Sequence, residues 1–125
     1  MRVAIYSKSI PGKTAAAQER DLRRLCQERG WTVSKVFLDP PGRSQKLSSG
    51  KGRLALLDAL LGRRNKFGAV LVWRVALLGV CIDDLLWLLN EVHVKRGVHI
   101  VAVADRIDMT KDDSLKKVLM ALAKI

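Results

Sequence analysis

The stretch Ala69-Val-Leu-Val-Trp73 decides the fold class of this chain, because none of its side chains is charged or carries a hydroxyl or amide group. A strand with one solvent-facing side alternates apolar and polar residues, whereas a strand of a parallel sheet is covered on both faces and is apolar throughout. This stretch therefore predicts a central strand of a parallel sheet. The mostly apolar sequence of residues 98–104 predicts a further strand.

Amphipathic helices are predicted before and after this strand. Residues 53–64 and 82–95 carry apolar side chains at helical spacing. The predicted buried faces are Leu54, Leu57, Leu60 and Leu61 in the first helix, and Ile82, Leu85, Leu86, Leu89 and Val92 in the second. Helices that alternate with strands in this way connect parallel strands and pack on the sheet.

The rest of the chain continues the alternation. The remaining predicted elements are strands over 2–6 and 31–37 and helices over 14–29 and 110–125. Thr110 and Asp113 have the spacing of a capping box at the start of the last helix. The order βαβαβαβα predicts one α/β domain over residues 1–125, with a mostly parallel sheet and helices on both faces.

The composition favours a polyanionic partner. Lys and Arg number 23 against 12 Asp and Glu, a formal net charge of +11 on 125 residues. Such a positive field attracts polyanions, and nucleic acid is the first candidate. No apolar run approaches the ~20 residues of a membrane span, and no signal peptide is recognisable. We therefore expect a cytoplasmic protein without a membrane partner.

Metal and cofactor sites are not expected from the sequence. The two cysteines, Cys26 and Cys81, are far apart, and neither they nor the two histidines have the spacing of metal ligands. In a reducing compartment both cysteines are expected to be small buried apolar residues.

One loop partly matches a phosphate-binding motif. Ser7 to Thr14 reads Ser-Lys-Ser-Ile-Pro-Gly-Lys-Thr and lies between a predicted strand and a predicted helix. It fits G-x-x-x-x-G-K-[S/T] except for Ser7 in place of the first glycine. Pro11 also removes one of the amide donors that such a loop needs. A degenerate nucleotide-binding loop with Gly12, Lys13 and Thr14 is therefore an alternative interpretation.

Short motifs in order along nearly the whole chain carry a family resemblance. They are Arg2-Val-Ala-Ile-Tyr6, Cys26-Gln-Glu-Arg-Gly-Trp31, Lys66-Phe-Gly-Ala-Val-Leu-Val-Trp73, Leu78-Gly79 and the run from Val98 to Asp108. At these spacings the chain resembles the N-terminal catalytic domain of the serine recombinases, the resolvase/invertase family. The resemblance implies a resolvase-like fold and a function in site-specific DNA recombination. It also implies that residues 110–125 are the truncated start of the family's oligomerisation helix.

The resemblance further implies which chemistry to look for. In this family a serine hydroxyl attacks a DNA phosphodiester, while clustered arginines neutralise the phosphate in the transition state. Here the nucleophile's position holds Ile10, and that of the neighbouring arginine holds Lys8. The family's Asp and two Arg after the tryptophan-containing strand are replaced by Ala76, Leu77 and Val80. The polar remnants of the site are Ser9, Gln18 and Arg53.

These replacements predict a domain that does not cleave DNA and is not an active enzyme. The alternative is an active recombinase that uses Ser9 as a displaced nucleophile. The apolar replacements at Ile10, Ala76, Leu77 and Val80 either collapse onto the core or form a contact patch for another subunit.

The expected remaining function is non-catalytic. Weak, sequence-independent DNA contact would use Lys8, Arg43, Lys46, Lys51 and Arg53. Association as a homodimer, or with another recombinase subunit, would use Leu115, Val118, Leu119 and Leu122. A short helix with this apolar stripe needs a packing partner, which its own domain could also supply.

Overall fold

A computed structural model describes residues 1–40, 50–79 and 81–111. Its strands are β1 (Arg2–Lys8), β2 (Thr32–Asp39), β3 (Ala69–Val72), β4 (His99–Ala102) and β5 (Ile107–Asp108). Its helices are α1 (Ala15–Arg29), α2 (Lys51–Leu61) and α3 (Ile82–Leu88). A 3₁₀ turn (Val75–Leu78) precedes α3, and a π-helical segment (Leu89–Val94) continues it. No helix of this part of the chain is long and apolar enough to cross a membrane.

The strands form one sheet in the order β2-β1-β3-β4-β5. The pairs β1–β2, β1–β3 and β3–β4 are parallel, and β5 is antiparallel to β4. Strand β3 is buried along its whole length at the centre of the sheet. The prediction of a mostly parallel α/β sheet is confirmed.

Helices cover both faces of the sheet, as predicted. Side chains of β1 alternate between the faces, so that Val3 and Ile5 point one way and Ala4 and Tyr6 the other. The first face packs under α1, and the second packs under α2 and α3. The two cores therefore meet across β1 and β3.

Three details of the sequence-based prediction are wrong. Strand β4 ends at Ala102 instead of continuing to residue 104, and the short strand β5 was not foreseen. Leu54, Ile82 and Leu86 are 41%, 44% and 42% exposed, whereas Leu56 and Leu88 are buried. Cys26 is buried as expected, but Cys81 is exposed. The predicted last helix stays a prediction, because residues 112–125 lie outside the described residues. Thr110 and Lys111 lie in a turn, which a capping residue at the start of a helix permits.

The rotated helix faces have identifiable causes. Arg53 of α2 is buried, so the inward face of this helix runs through residues 53, 56, 57 and 60, and Leu54 points outward. In α3 the π-helical segment adds a residue to its turn, as the bond from the Lys95 amide to the Asn90 carbonyl shows. This segment begins after Ile82 and Leu86, which are exposed because the inward face runs through Leu85, Leu88, Leu89 and Val92 at regular helical spacing.

Candidate functional site

Polar side chains gather where β1 and β2 end and α2 begins. We call this region, with the 3₁₀ turn after β3, the carboxyl edge. Ligands of open α/β sheets bind beyond the carboxyl ends of the strands. Of the predicted site residues, the structure brings Lys8, Ser9, Ile10, Gln18, Lys51, Arg53, Ala76 and Leu77 to this edge or to the loop and helix beside it.

Asp39, the last residue of β2, is the main acceptor of this edge. Its carboxylate accepts hydrogen bonds from the Tyr6 hydroxyl (2.6 Å) and from the amides of Gly52 (2.7 Å) and Arg53 (2.9 Å). Burial would raise the pKa of Asp39, but these bonds and the charge of Lys8 outweigh it, so the pKa lies below its ordinary value. Burial and the bond to Asp39 raise the pKa of the Tyr6 hydroxyl. Asp39 is thus an anion that anchors the start of α2.

Arg53 is held inside the protein and does not project toward solvent. Its side chain is buried, and Nε donates to the Leu78 carbonyl at 2.5 Å. Nη2 donates to Asp84 Oδ2 at 2.7 Å, an ion pair in which both side chains are at most 10% exposed. Nη1 has no hydrogen-bond partner in the part of the chain that the structure describes. Arg53 therefore connects α2 to the 3₁₀ turn and α3.

The Ser9 hydroxyl supports the start of α1. Its Oγ accepts a hydrogen bond from the Ala15 amide at 2.8 Å, and Thr14 Oγ1 accepts one from the Ala17 amide at 3.1 Å. Both satisfy amides of the first helical turn, which have no partner within the helix. Gln18 is buried and clamps the end of β1, because its amide group bonds both the carbonyl (2.7 Å) and the amide (3.3 Å) of Lys8.

The loop after β1 closes on itself. The Ile10 amide donates to the Lys13 carbonyl (3.0 Å), and the Lys13 amide donates to the Ile10 carbonyl (3.1 Å). Pro11 and Gly12 form the corner, where Gly12 has a φ of 85° that favours glycine. A phosphate-binding loop instead points successive amides inward at the phosphate. This geometry does not favour the nucleotide-binding interpretation.

The Lys13 side chain also has partners within the protein. Its Nζ lies 2.5 Å from Asp21 Oδ2 and 3.7 Å from the centre of the Trp73 ring. The contact with Lys13 lowers the pKa of Asp21. Lys13 thus connects the loop after β1 to α1 and to the end of β3, where a lysine of a phosphate loop would reach toward a ligand.

The residues at the positions that the sequence resemblance assigns to catalytic groups are only partly exposed. Ile10, Ala76 and Leu77 are all half-buried, and Leu77 packs against the core beneath α2 and α3. The amide of Val75, which begins the 3₁₀ turn, is held by Asp105 at 2.7 Å. These contacts favour collapse onto the core over an open contact patch. Val80, Arg43, Lys46, Leu115, Val118, Leu119 and Leu122 lie outside the described residues.

Sequence reasoning missed three members of the network at this edge. The hydrogen-bond network around Arg53 also includes Asp39, Tyr6 and Asp84. None of these three was predicted as a site residue. A local signal existed only for Asp39, a carboxylate at the end of a predicted strand. Its partners depend on the strand order.

Comparison with protein families shows to which family this chain belongs. The sequence matches the family described as Resolvase, N terminal domain, over residues 2–125. The chain belongs to this family. No curated protein matches the chain significantly.

Solved structures of similar fold agree with the resolvase family. The N-terminal catalytic domain of TP901-1 integrase is 26% identical with a TM-score of 0.76, over 99% of this chain and 92% of that one. A resolvase family site-specific recombinase from Streptococcus pneumoniae is 25% identical with a TM-score of 0.70, over 99% and 86%. The C-terminal catalytic domain of ISC1926 TnpA, an IS607-like serine recombinase, shares the fold at 21% identity and a TM-score of 0.65, over 99% and 80%. The protein is a resolvase-type serine recombinase domain.

Proposed function

We propose that this resolvase-type domain does not cleave DNA and serves recombination in a non-catalytic role. The observation that carries the proposal is the arrangement of three residues at the carboxyl edge. The nucleophile's position holds Ile10, the hydroxyl oxygen of neighbouring Ser9 bonds the Ala15 amide, and Arg53 is buried in an ion pair. No exposed hydroxyl surrounded by free cations is present among the described residues of this edge.

The expected loss of cleavage rate supports the same conclusion. Removing one group that stabilises a transition-state charge typically costs ~10²–10³ in rate. Ala76 and Leu77 stand where the family has an Asp and an Arg, and neither can neutralise a phosphate. Lys8 retains a charge but lacks the bidentate fork of arginine. Ser9 as a displaced nucleophile would first have to leave the Ala15 amide.

A cleavage assay tests the proposal directly. The domain is incubated with supercoiled plasmid, the reaction is stopped with denaturant, and nicked DNA and protein joined covalently to DNA are measured. We expect neither product. A covalent adduct that Ser9→Ala abolishes would refute the proposal and identify an active enzyme with a displaced nucleophile.

The matched control for Ser9→Ala is Thr14→Ala. Each variant removes one hydroxyl that accepts a bond from an amide at the start of α1, and each should cost about 1 kcal/mol of stability. Only Ser9→Ala also removes a candidate nucleophile. If both variants abolished an adduct equally, the effect would come from α1 and not from nucleophilic attack.

The non-catalytic role that we propose is DNA contact combined with association with recombinase subunits. The net charge of +11 supports contact with the phosphate backbone. Of the cations predicted for this contact, Lys51 is exposed and Lys8 half-exposed at the carboxyl edge, whereas Arg53 is engaged inside the protein. The domains of known structure named above belong to an integrase, a site-specific recombinase and a serine recombinase, and these relationships support action on DNA.

A further inference from the structure

A cavity of about 290 Å³ lies between the end of α1 and the edge strands β4 and β5. It is on the face of the sheet that α1 covers, at the side away from β2. Leu25, Val101 and Val103 line it with apolar surface, and Leu25 and Val103 are only half-buried. Its volume is close to the lower end of the range for small-ligand pockets.

Cationic side chains surround this apolar lining. Arg29, Arg106 and Lys111 line the same cavity, and Asp108 is its only acidic lining residue. Arg29 Nη1 lies 2.5 Å from Asp108 Oδ2, so Asp108 is already neutralised. The contact is an ion pair without the alignment of a good hydrogen bond, because Oδ2 has no partner of that geometry. Arg106 and Lys111 are exposed, and neither has an ion pair within the described part of the chain.

The backbone at Arg106 supports a binding role for this cavity. Arg106 has a φ of 57°, and it is the only non-glycine residue with positive φ among the residues described. Such a conformation is uncommon for a residue with a side chain, and it recurs at ligand-binding sites. Glycine would be the favoured residue for the turn between β4 and β5, yet the chain has an arginine there.

We propose that this cavity binds a small organic anion, with one carboxylate, sulfonate or phosphate group on an apolar body. The apolar body would contact Leu25, Val101 and Val103, and the anionic group would lie against Arg106 and Lys111. Arg106 and Lys111 make no ion pair with another described residue, and they border the apolar lining. A ligand with one anionic group on an apolar body complements both the charge and the apolar surface. The site is separate from the carboxyl edge and does not depend on the proposed loss of cleavage.

Fluorescence of anilinonaphthalene sulfonate tests the proposal, because this aromatic sulfonate emits more strongly in apolar surroundings. We expect saturable binding at one site. Arg106→Gly should weaken binding by about tenfold, since it removes one charge-assisted contact. Glycine also suits the positive φ, so this variant should fold at least as well as the parent.

The matched control is Arg63→Gly, which removes an exposed cation from a turn outside this cavity. Arg63 makes no ion pair within the described residues. This variant should leave sulfonate affinity within about twofold, because Arg63 does not line the cavity and salt screens an exposed charge. A neutral naphthol should not displace the probe, and inorganic phosphate alone should displace it poorly. If both variants weakened sulfonate binding equally, the binding would depend on the net charge of the protein and not on this cavity. That result would overturn the proposal.

A second measurement separates a ligand from a protein partner. Sedimentation velocity of the parent and of Val103→Glu shows whether the cavity surface joins two copies of the chain. A dimer that Val103→Glu disrupts, together with no saturable sulfonate binding, would make the cavity a subunit interface and contradict the proposal. A sulfonate affinity that Arg106→Gly and Lys111→Ala each lower, with no change in oligomeric state, would support it.

Discussion

At the residue scale, Asp39 and Arg53 determine how the carboxyl edge is organised. Asp39 accepts one side-chain and two backbone hydrogen bonds, and the Arg53 side chain donates to a carbonyl and to a carboxylate. Hydrogen bonds and ion pairs of this kind compensate the cost of burying a charge. Arg53 thus has a structural role in this domain.

Replacing Asp39 should destabilise the domain in a pH-dependent manner. The pKa of Asp39 is lowered in the folded state, so its charge contributes stability above the ordinary carboxyl pKa, and this contribution is lost as the pH falls through the folded-state value. We expect Asp39→Asn to cost about 2–3 kcal/mol near neutral pH. The difference from the parent should narrow below about pH 4 in urea unfolding.

Asp58→Asn is the control for this experiment, because Asp58 is an exposed carboxylate on α2. It should change the free energy of unfolding by less than about 0.5 kcal/mol. If Asp39→Asn cost the same at acid and neutral pH, the charge of Asp39 would not be the source of the stability.

At the element scale, the start of α2 is fitted closely against the end of β2. Gly52 lies in the first turn of α2, and its amide donates to Asp39. A Cβ at this position would overlap the backbone carbonyl of Leu38. The helix can approach the strand only because residue 52 has no side chain, and this approach brings the Arg53 amide within reach of Asp39.

We therefore expect Gly52→Ala to destabilise the domain although alanine favours helices. Overlap with backbone atoms forces the helix away from the strand, at a cost of about 1–3 kcal/mol. Gly62→Ala is the matched control at the other end of α2, where the nearest atom to the new Cβ would be the Asp58 carbonyl oxygen at 3.2 Å. Thermal unfolding of the two variants measures the difference, and equal midpoints would show that α2 is not constrained at its start.

At the scale of the whole molecule, the domain combines a resolvase fold with a strongly positive charge. Paired cations such as Lys13, Arg29 and Arg53 stabilise the fold. Exposed cations that make no ion pair with another described residue remain available to a polyanion. Lys51 belongs to the second group and lies at the carboxyl edge, and Lys8 at the same edge makes no ion pair within the described residues. We expect the exposed cations to contribute to DNA binding and the ion-paired cations to contribute little.

Binding to duplex DNA of random sequence should be weak and salt-dependent. We expect a dissociation constant of ~10⁻⁴–10⁻⁶ M at physiological salt, rising steeply as salt is added. Fluorescence anisotropy should show that Lys8→Ala with Lys51→Ala lowers the salt slope by about 1–2. The pair Arg63→Ala and Lys66→Ala, at the opposite edge of the sheet, should change it less. Absence of binding even at low salt would refute the DNA contact.

Association with a second subunit is a prediction from the sequence of residues 115–122. Leu119→Lys should reduce a dimer measured by light scattering, because it places a charge in the apolar stripe that the family resemblance assigns to subunit contacts. Met120→Lys adds the same charge outside that i, i+3, i+4, i+7 set and should leave the dimer intact. A parent protein that stays monomeric at high concentration would contradict the prediction.

The sequence by itself determined the alternation of strands and helices and the parallel sheet around Ala69–Val72. These features follow from local periodicity and from residue identity in ordered motifs. Only the tertiary structure decided that Arg53 faces inward, that Ser9 caps α1 and that β5 closes the sheet. Tyr6 meets Asp39 from 33 residues away, and Arg53 meets Asp84 from 31 residues away. Contacts at such separations depend on strand order and helix rotation, which local periodicity does not encode.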